Sequence, residues 1–196
     1  MRTIYLPGAS GSASFWQPVA SIVGGDALMM SWPGLGAEPA SGSLRSIDDM
    51  VAAVLGELDE PANIVAQSMG GMIAIKAALA RPAMISKLVL AVTSAGVPVT
   101  DLGGSDWRGD YYKAFPSAAR WIADVQEDLS SQLSEITMPT LLLWGDADPI
   151  SPVAVGERLR SKLPNAALRI IGGADHDLAL SHSDQVAHLI AAHLRA

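Results

Sequence analysis

Short apolar runs alternate with helical patterns along most of the chain. Each run is bounded by Gly, Pro, Asn or Asp and has a length typical of a β-strand. Three of the runs are apolar without interruption, at 64–66, 88–92 and 141–144. Such runs are typical of strands buried on both faces, as in a parallel sheet covered by helices. The pattern predicts six strands, at 3–6, 27–31, 63–67, 88–92, 140–144 and 167–171.

The segments between the strands show helical spacing. The clearest helix begins at Ser46, whose side chain can cap the amides that follow it, and stops before Pro61. Further helices are predicted over 69–81, 153–162 and 184–195. This alternation predicts a doubly wound α/β fold with a mostly parallel sheet, in which ligands bind at the carboxyl ends of the strands.

One segment breaks the alternation. Residues 96–137 contain no strand-like run, although five of the ten aromatic residues of the chain fall between positions 107 and 121. The five are Trp107, Tyr111, Tyr112, Phe115 and Trp121. A helix or two packing these rings onto the main domain would explain them, and so would a small cap that roofs an apolar pocket. We call residues 96–137 the cap and predict one domain over 1–196 that contains it as an insertion.

Composition narrows the possible functions. The net charge is −7 and no run of Lys or Arg is present, which argues against binding to nucleic acid. The chain has no cysteine, and this excludes disulfides, thiolate nucleophiles and zinc–thiolate sites. There is no apolar stretch long enough to span a membrane and no signal-peptide pattern. We therefore expect a cytoplasmic protein without a membrane partner.

Residues 66–70 read Ala-Gln-Ser-Met-Gly at the junction of a predicted strand and a predicted helix. A serine at such a sharp turn, with a small residue two places to either side, is typical of a nucleophile elbow. Gly70 meets this requirement fully, whereas Ala66 stands where glycine is usual. A helix that simply starts at Ser68 would also explain this segment when it is taken alone.

A serine hydroxyl needs an adjacent base, which is itself oriented by a third group. Of the four histidines, His176 follows the last predicted strand through a loop that contains glycine, and a base must stand there to reach Ser68. His182 is a weaker candidate because it lies six residues further on. His188 and His193 lie in the terminal predicted helix, where surface or packing roles are expected.

Two carboxylates follow the fifth predicted strand, in the loop 145–149. Either Asp146 or Asp148 would give the chain order serine, acid, histidine, which is the order of the α/β-hydrolases. The acidic residues around the histidine could also be considered as a metal site. That group comprises Asp146, Asp148, Asp175, His176 and Asp177. Neither a paired-histidine helix motif nor a calcium-loop spacing supports the metal interpretation.

These segments together resemble the α/β-hydrolase superfamily over nearly the full length of the chain. Residues 6–19 resemble its oxyanion loop and the helix that follows, residues 33–36 its Pro-Gly-x-Gly turn, and residues 145–152 its acid loop. His176 matches the histidine of the family. The chain departs from the pattern at Pro7, where the family usually has histidine, and at Ala66 in the elbow.

The resemblance implies a small serine esterase or lipase-like enzyme with a short cap. It assigns the catalytic roles to Ser68 as nucleophile, His176 as base and Asp148 as the orienting acid, with the backbone N–H groups of Ala9 and Met69 as the oxyanion hole. It implies a small-molecule substrate with an ester or lactone bond and no cofactor or metal. Hydrolysis of a carbon–carbon or amide bond by the same triad, and a non-catalytic member that binds a small ligand, remain alternatives.

Overall fold

The structure is a computed structural model that describes residues 1–40, 42 and 44–196. The strands are β1 (Thr3–Leu6), β2 (Ala27–Met29), β3 (Ala62–Gln67), β4 (Ile85–Ala91), β5 (Thr140–Gly145) and β6 (Ala166–Ile171). They form one six-stranded sheet in the order β2-β1-β3-β4-β5-β6. All neighbouring strands run parallel. The sheet grows in both directions from β1, which confirms the predicted doubly wound α/β fold.

Burial accounts for the uninterrupted apolar runs. Every residue of β1, β3 and β5 is buried, so both faces of the inner sheet are covered. The edge strands differ, since β2 and β6 both contain exposed residues. The three runs at 64–66, 88–92 and 141–144 therefore became the inner strands β3, β4 and β5, whereas the apolar residues of β2 lie at an exposed edge.

The helices are α1 (Gln17–Val23), α2 (Ile47–Gly56), α3 (Met69–Ala80), α4 (Arg108–Ala114), α5 (Val153–Lys162), α6 (Leu178–Ser181) and α7 (Ser183–Arg195). Helix α1 packs against α7, α2 packs against α3, and α5 packs against β5 and β6. The predicted cap of α2 is present, because the Ser46 Oγ accepts a hydrogen bond from the Asp49 N–H at 3.1 Å. The short helix α6 was not predicted from the pattern.

Two strand boundaries differ from the prediction by more than one residue, and both differences follow from strand pairing. Strand β2 ends at Met29, where its ladder with β1 ends, and not at residue 31. Strand β4 begins at Ile85 and not at residue 88, because Ile85 pairs with Ala62 across an irregularity in the β3–β4 register. Neither effect leaves a signal in a single stretch of sequence.

The cap lies between β4 and β5. Its regular elements are α4 and three short 3₁₀ turns, Thr100–Leu102, Arg120–Asp124 and Leu133–Glu135. As predicted, residues 96–137 contain no strand, and all of them are described. Lys76 of α3 forms an ion pair with Glu127 of the cap, since its Nζ lies 2.8 Å from a Glu127 carboxylate oxygen. The same Nζ lies 2.7 Å from a carboxylate oxygen of Asp48 in α2. The division into one domain with an inserted cap stays a prediction.

Within the described ranges 1–40, 42 and 44–196, no helix has the length and apolar character needed to cross a membrane.

Candidate active site

The site lies where the strand order reverses. Strands β1 and β3 are neighbours in the sheet, but the chain leaves β1 toward one edge and β3 toward the other. The loops after two such strands separate and leave a crevice at their carboxyl ends, which is where open α/β sheets bind ligands. Pro7, Gly8 and Ala9 follow β1, and Ser68 follows β3.

Ser68 occupies a strained turn between β3 and α3. Its backbone has φ 52° and ψ −124°, a conformation that L-residues rarely adopt. The turn brings α3 close to the loop after β1, since a Cβ on Gly70 would lie 2.7 Å from the carbonyl oxygen of Pro7. Ala66 is fully buried within β3, so the alanine is accommodated at that position. The strained serine distinguishes this turn from an ordinary helix start.

Three side chains predicted to act together are brought together. The His176 Nε2 lies 3.0 Å from the Ser68 Oγ, and the His176 Nδ1 lies 2.7 Å from the Asp148 Oδ2. The Asp148 carboxylate is fully buried, whereas the imidazole is 18% exposed. With Nδ1 protonated and bonded to the carboxylate, Nε2 is free to accept the proton of the Ser68 hydroxyl.

The two candidate acids have different partners. The Asp148 Oδ1 accepts hydrogen bonds from the N–H groups of Ile150 (2.8 Å) and Ser151 (3.0 Å), which leaves Oδ2 for the histidine. Asp146 is exposed, and its Oδ1 accepts a hydrogen bond from the Gly173 N–H at 2.7 Å. Asp148 is therefore the carboxylate that contacts the imidazole, while Asp146 joins its own loop to the loop before His176.

The other histidines lie apart from Ser68. The His182 Nδ1 contacts the Ser181 Oγ at 2.9 Å, between α6 and α7. The His188 Nδ1 contacts the Asp184 carbonyl oxygen at 2.6 Å, within α7. In the described part of the chain, no group of three His, Asp or Glu side chains converges as a metal ion would require.

Four successive carbonyl groups, at the end of β1 and in the loop that follows it, each accept a hydrogen bond. We call residues 6–11 the oxyanion loop, after the family segment that they resemble. The donors are Trp16 Nε1 to Leu6 (3.0 Å), Trp32 Nε1 to Pro7 (2.9 Å), the Gly11 N–H to Gly8 (3.1 Å) and the Tyr111 hydroxyl to Ala9 (2.8 Å). The bracing for which the family usually has a histidine at position 7 thus comes from two indoles and a phenol. The sequence pattern did not reveal these roles.

Gln67 is a further residue that the sequence analysis missed. Its side chain is buried, and its Nε2 donates a hydrogen bond to the His176 carbonyl oxygen at 3.2 Å. The amide also lies directly against Gly8, so that no Cβ fits there. Gln67 thereby joins the serine turn, the histidine loop and the oxyanion loop. Its position beside Ser68 was the only signal available.

Four of the five aromatic residues predicted to line a pocket form a cluster around one ring. The Tyr111 ring lies 5.4 Å from that of Trp107, 5.0 Å from Tyr112 and 5.3 Å from Phe115. Trp121 instead lines a surface cavity of about 250 Å³, which also involves Arg45, Asp48 and Glu127 but neither Ser68 nor His176. A role for these rings in roofing a substrate pocket stays a prediction.

The amino-acid sequence of the chain is similar to the sequences of known hydrolases. The sequence profile described as "Alpha/beta hydrolase family" matches residues 4–189. A 2-hydroxy-6-oxononadienedioate/2-hydroxy-6-oxononatrienedioate hydrolase of Cupriavidus pinatubonensis is 30% identical over 90% of this chain and 79% of its own length. The alignment spans 229 positions, whereas 90% of the 196 residues is about 176, so the relative has about 50 positions with no counterpart here.

Two solved structures have the same fold. An esterase from Thermogutta terrifontis superposes with a TM-score of 0.83 at 18% identity, over 100% of this chain and 89% of its own. A meta-cleavage product hydrolase from Pseudomonas fluorescens IP01 superposes with a TM-score of 0.80, also at 18% identity, over 100% of this chain and 90% of its own. The profile match and the 30% identical relative lead to one assignment: the chain belongs to the alpha/beta hydrolase family.

Proposed function

We propose that this α/β hydrolase is a serine esterase that cleaves a carboxylic ester or lactone through an acyl-enzyme. The observation that carries the proposal is the hydrogen-bonded sequence from the Ser68 Oγ through His176 to the buried Asp148 carboxylate, with distances of 3.0 Å and 2.7 Å. Ser68, where this series of hydrogen bonds begins, lies in a strained strand-to-helix turn. This supports a role for Ser68 as a nucleophile in preference to a structural role.

The chemistry follows from the two hydrogen bonds. The Ser68 oxygen attacks the ester carbonyl as its proton passes to the His176 Nε2, and the imidazolium that forms is stabilised by Asp148. The proton then passes to the leaving alcohol as the tetrahedral intermediate collapses to the acyl-enzyme. A water molecule, deprotonated by His176, releases the acid and restores the serine.

Two backbone donors are available for the oxyanion. The Met69 N–H stands at the first position of α3, where helical N–H groups have no intrahelical partner, and the dipole of α3 also favours negative charge there. The Ala9 N–H follows the neighbouring strand across the crevice. In the described part of the chain neither group donates to another backbone carbonyl outside the helices and strands, so both remain free for the tetrahedral oxygen.

The charges of the chain favour a neutral substrate over a dicarboxylate. The relative from C. pinatubonensis is named for substrates that carry two carboxylates. Among the described residues, no Arg or Lys side chain bonds to Ser68, Asp148, His176 or the oxyanion loop. The most strongly paired cations, Lys76 and Arg158, are held by other carboxylates. A net charge of −7 also opposes the approach of dianions.

A second candidate function is hydrolysis of a carbon–carbon bond. It is supported by the names of similar proteins, including the meta-cleavage product hydrolase of P. fluorescens. In this chain such a reaction would use the same Ser68 and His176, with a hydroxy-oxo-dienoate of the kind named for the C. pinatubonensis relative as substrate. A non-catalytic role in binding a small ligand is the third alternative, and the hydrogen-bonded Ser68 argues against it.

One experiment separates these possibilities. The purified protein is treated with a fluorophosphonate probe and then assayed with p-nitrophenyl esters of increasing chain length and with a 2-hydroxy-6-oxo-dienoate. We expect labelling and ester turnover, and both should be lost in Ser68→Ala, apart from residual catalysis on the order of 10³–10⁴ over water. The matched control is Ser21→Ala, at an exposed serine of α1 whose hydroxyl bonds to Gln17 within the same helix, and it should keep both.

Retained labelling in Ser68→Ala would overturn the assignment of the nucleophile. Turnover of the dienoate far above that of every ester would favour the carbon–carbon hydrolase. A folded protein without labelling or turnover would favour the ligand-binding alternative.

A further inference from the structure

The hydroxyl of Tyr111 joins the cap to the oxyanion loop by two hydrogen bonds. It lies 2.8 Å from the Ala9 carbonyl oxygen and 2.9 Å from the Gly36 amide nitrogen. A carbonyl can only accept and an amide N–H can only donate, so both roles of the hydroxyl are fixed. Its single proton goes to Ala9, and one of its lone pairs receives the Gly36 N–H. Burial raises the pKa of Tyr111 above its usual range, which keeps this proton in place at the pH of an assay.

The bond to Ala9 bears on the direction of a neighbouring N–H. The Gly8 carbonyl and the Ala9 N–H belong to one planar peptide group, which the Gly11 N–H holds by its 3.1 Å bond to the Gly8 oxygen. The Ala9 carbonyl belongs to the next peptide group, which Tyr111 holds. The two dihedral angles of Ala9 are all that can rotate between these planes, so fixing both planes fixes where the Ala9 N–H points.

The hydroxyl is itself held by the packing of the cap. The Tyr111 ring is surrounded by the three aromatic rings described above, at 5.0–5.4 Å. A second hydrogen bond attaches the cap to the turn that contains Gly36, since the Ala119 N–H donates to the Gly34 carbonyl oxygen at 2.9 Å. The cap therefore presents the phenol from a supported position.

We propose that Tyr111 is a positioning residue of the oxyanion hole, through which the cap fixes the orientation of the Ala9 N–H. This inference rests on the proposed serine esterase, because it concerns the donor for the tetrahedral oxygen. It gives the cap a part in transition-state stabilisation in addition to any part in enclosing substrate. It also explains why an aromatic cluster of the cap centres on a residue whose polar end points at the main body.

Tyr111→Phe removes the hydroxyl and keeps the ring. Deleting an oxyanion donor outright costs about 10²–10³ in kcat, and a donor that is present but loosely held keeps part of its effect. We therefore expect kcat and kcat/KM for a p-nitrophenyl ester to fall together by about 10-fold, with KM within about twofold. Tyr112→Phe is the matched control because it keeps the ring and removes only a hydroxyl whose single proton is shared between two carbonyl oxygens of the cap, those of Ala119 and Arg120, its partners among the described residues. It should leave kcat within about twofold.

Inhibitor affinity separates a misplaced donor from a general disturbance. A trifluoromethyl ketone adds to the serine and places an oxyanion in the hole, whereas the corresponding secondary alcohol fills the same space without that charge. In Tyr111→Phe the affinity for the ketone should fall by about the same factor as kcat, and the affinity for the alcohol should not change. The pH at which kcat/KM is half-maximal should stay that of the unmodified protein, since the contacts of His176 are untouched.

A second variant covers the case in which Tyr111→Phe does not fold. Incorporation of 3,5-difluorotyrosine at position 111 keeps the size and shape of the phenol but lowers its pKa toward neutrality. Once ionised, the oxygen cannot donate to Ala9, so kcat should fall with rising pH across a range where the unmodified protein is constant. The same substitution at position 112 should show no such decline.

The proposal is overturned if Tyr111→Phe and Tyr112→Phe have the same kcat, if the affinities for ketone and alcohol fall equally, or if the fluorinated variant at position 111 follows the pH profile of the unmodified protein. Failure of the proposed function would look different, because the unmodified protein would then resist fluorophosphonate labelling, and this inference would fall with it.

Discussion

The two halves of the candidate site are held in different ways. The acid–histidine half consists of the loops after β5 and β6, which are neighbouring strands, and these loops bond mainly to each other. The Ala147 N–H donates to the Ala174 carbonyl oxygen at 3.0 Å, and Asp146 bonds to the backbone of Gly173. The oxyanion loop instead depends on side chains at positions 16, 32 and 111. The acid–histidine half is therefore held mainly by bonds between its own two loops, with one further bond from the Gln67 side chain to the His176 carbonyl oxygen, whereas the oxyanion loop is held by side chains from other parts of the chain.

This difference determines how strongly a single substitution can disturb each half of the site. A backbone N–H survives almost every substitution, so the acid–histidine half is altered mainly by changing Asp148 or His176 themselves. An indole or phenol donor disappears with one substitution, while the oxyanion loop keeps its sequence. We therefore expect the loss of one bracing side chain of the oxyanion loop to lower kcat by a small factor, and substitution of Asp148 or His176 to lower it by several orders of magnitude.

The largest effect should come from breaking the acid–histidine half. In Asp148→Asn the amide can still accept from Ile150 and Ser151, but the histidine loses the partner that fixes its tautomer. We expect kcat to fall by up to about 10⁴ while the fold is kept. Ester kinetics and the unfolding midpoint measure the two quantities. A nearly silent Asp148→Asn combined with an inactive Asp146→Asn would show that the acid lies two positions earlier.

The next effect should come from displacing the oxyanion half. A Cβ added at Gly8 would lie 2.9 Å from the Ser68 Cβ and would collide with the Gln67 amide. Gly8→Ala should therefore shift the loop that carries the Ala9 N–H and lower kcat by about 10²-fold, as misplacements of about 1 Å can do. Steady-state kinetics and fluorophosphonate labelling report the loss.

The matched control is Gly109→Ala in α4, where an added Cβ meets nothing within 4 Å. It should leave kcat unchanged and stabilise the protein by about 0.5–1 kcal/mol, because alanine loses less backbone entropy in a helix. Equal kinetics for the two variants would mean that the oxyanion loop tolerates displacement.

A smaller effect should follow when only the brace within the acid–histidine half is weakened. Asp146→Asn replaces a charged acceptor of the Gly173 N–H by a neutral one at an exposed position. We expect the free energy of unfolding to fall by no more than about 1 kcal/mol and kcat to change by less than about threefold. Urea denaturation and ester kinetics check this. A loss of kcat comparable with that of Asp148→Asn would contradict it.

The smallest effect should come from removing the hydroxyl of Tyr5. Tyr5 of β1 is fully buried, its hydroxyl has no hydrogen-bond partner among the described residues, and burial raises the pKa of Tyr5 to about 12. In Tyr5→Phe the unfolding midpoint should stay the same or rise by an amount equivalent to about 1 kcal/mol, because an unpaired buried polar group is removed. The kcat should not change. A drop in kcat like that expected for Tyr111→Phe would show that the two hydroxyls do not differ as their partners indicate.

The acid–histidine half and the inner sheet were the predictable parts. The apolar runs that became β3, β4 and β5 are buried on both faces, so these strands could be predicted from their own residues without knowing which strands pair with them. Asp148 follows β5 and His176 follows β6, each through a short loop, and the carboxyl ends of parallel strands meet at one edge. Chain order left Asp146 and Asp148 open, and the resemblance to the α/β-hydrolases selected Asp148, whose Oδ2 lies 2.7 Å from the His176 Nδ1.

The braces of the oxyanion loop were not predictable for a physical reason. Trp16, Trp32 and Tyr111 are far apart in the sequence, and each looks like an ordinary buried or cap aromatic. Only the folded chain brings their N–H and O–H groups to Leu6, Pro7 and Ala9. The sequence drew attention to the cap aromatics, but composition alone could not distinguish the ring that bonds to the loop from the rings around it.

The attachment of the cap at Gly34, Gly36 and Ala9 has a consequence for chimeras between relatives. Exchanging caps is an obvious way to change substrate preference if, as predicted, residues 96–137 form one continuous insertion. Such a graft would also remove the donor to Ala9, so on the proposal made above for Tyr111 we expect the chimera to have a lower kcat. A graft that keeps residues 107–119 and exchanges only 120–137 would keep this donor, and we expect it to retain kcat.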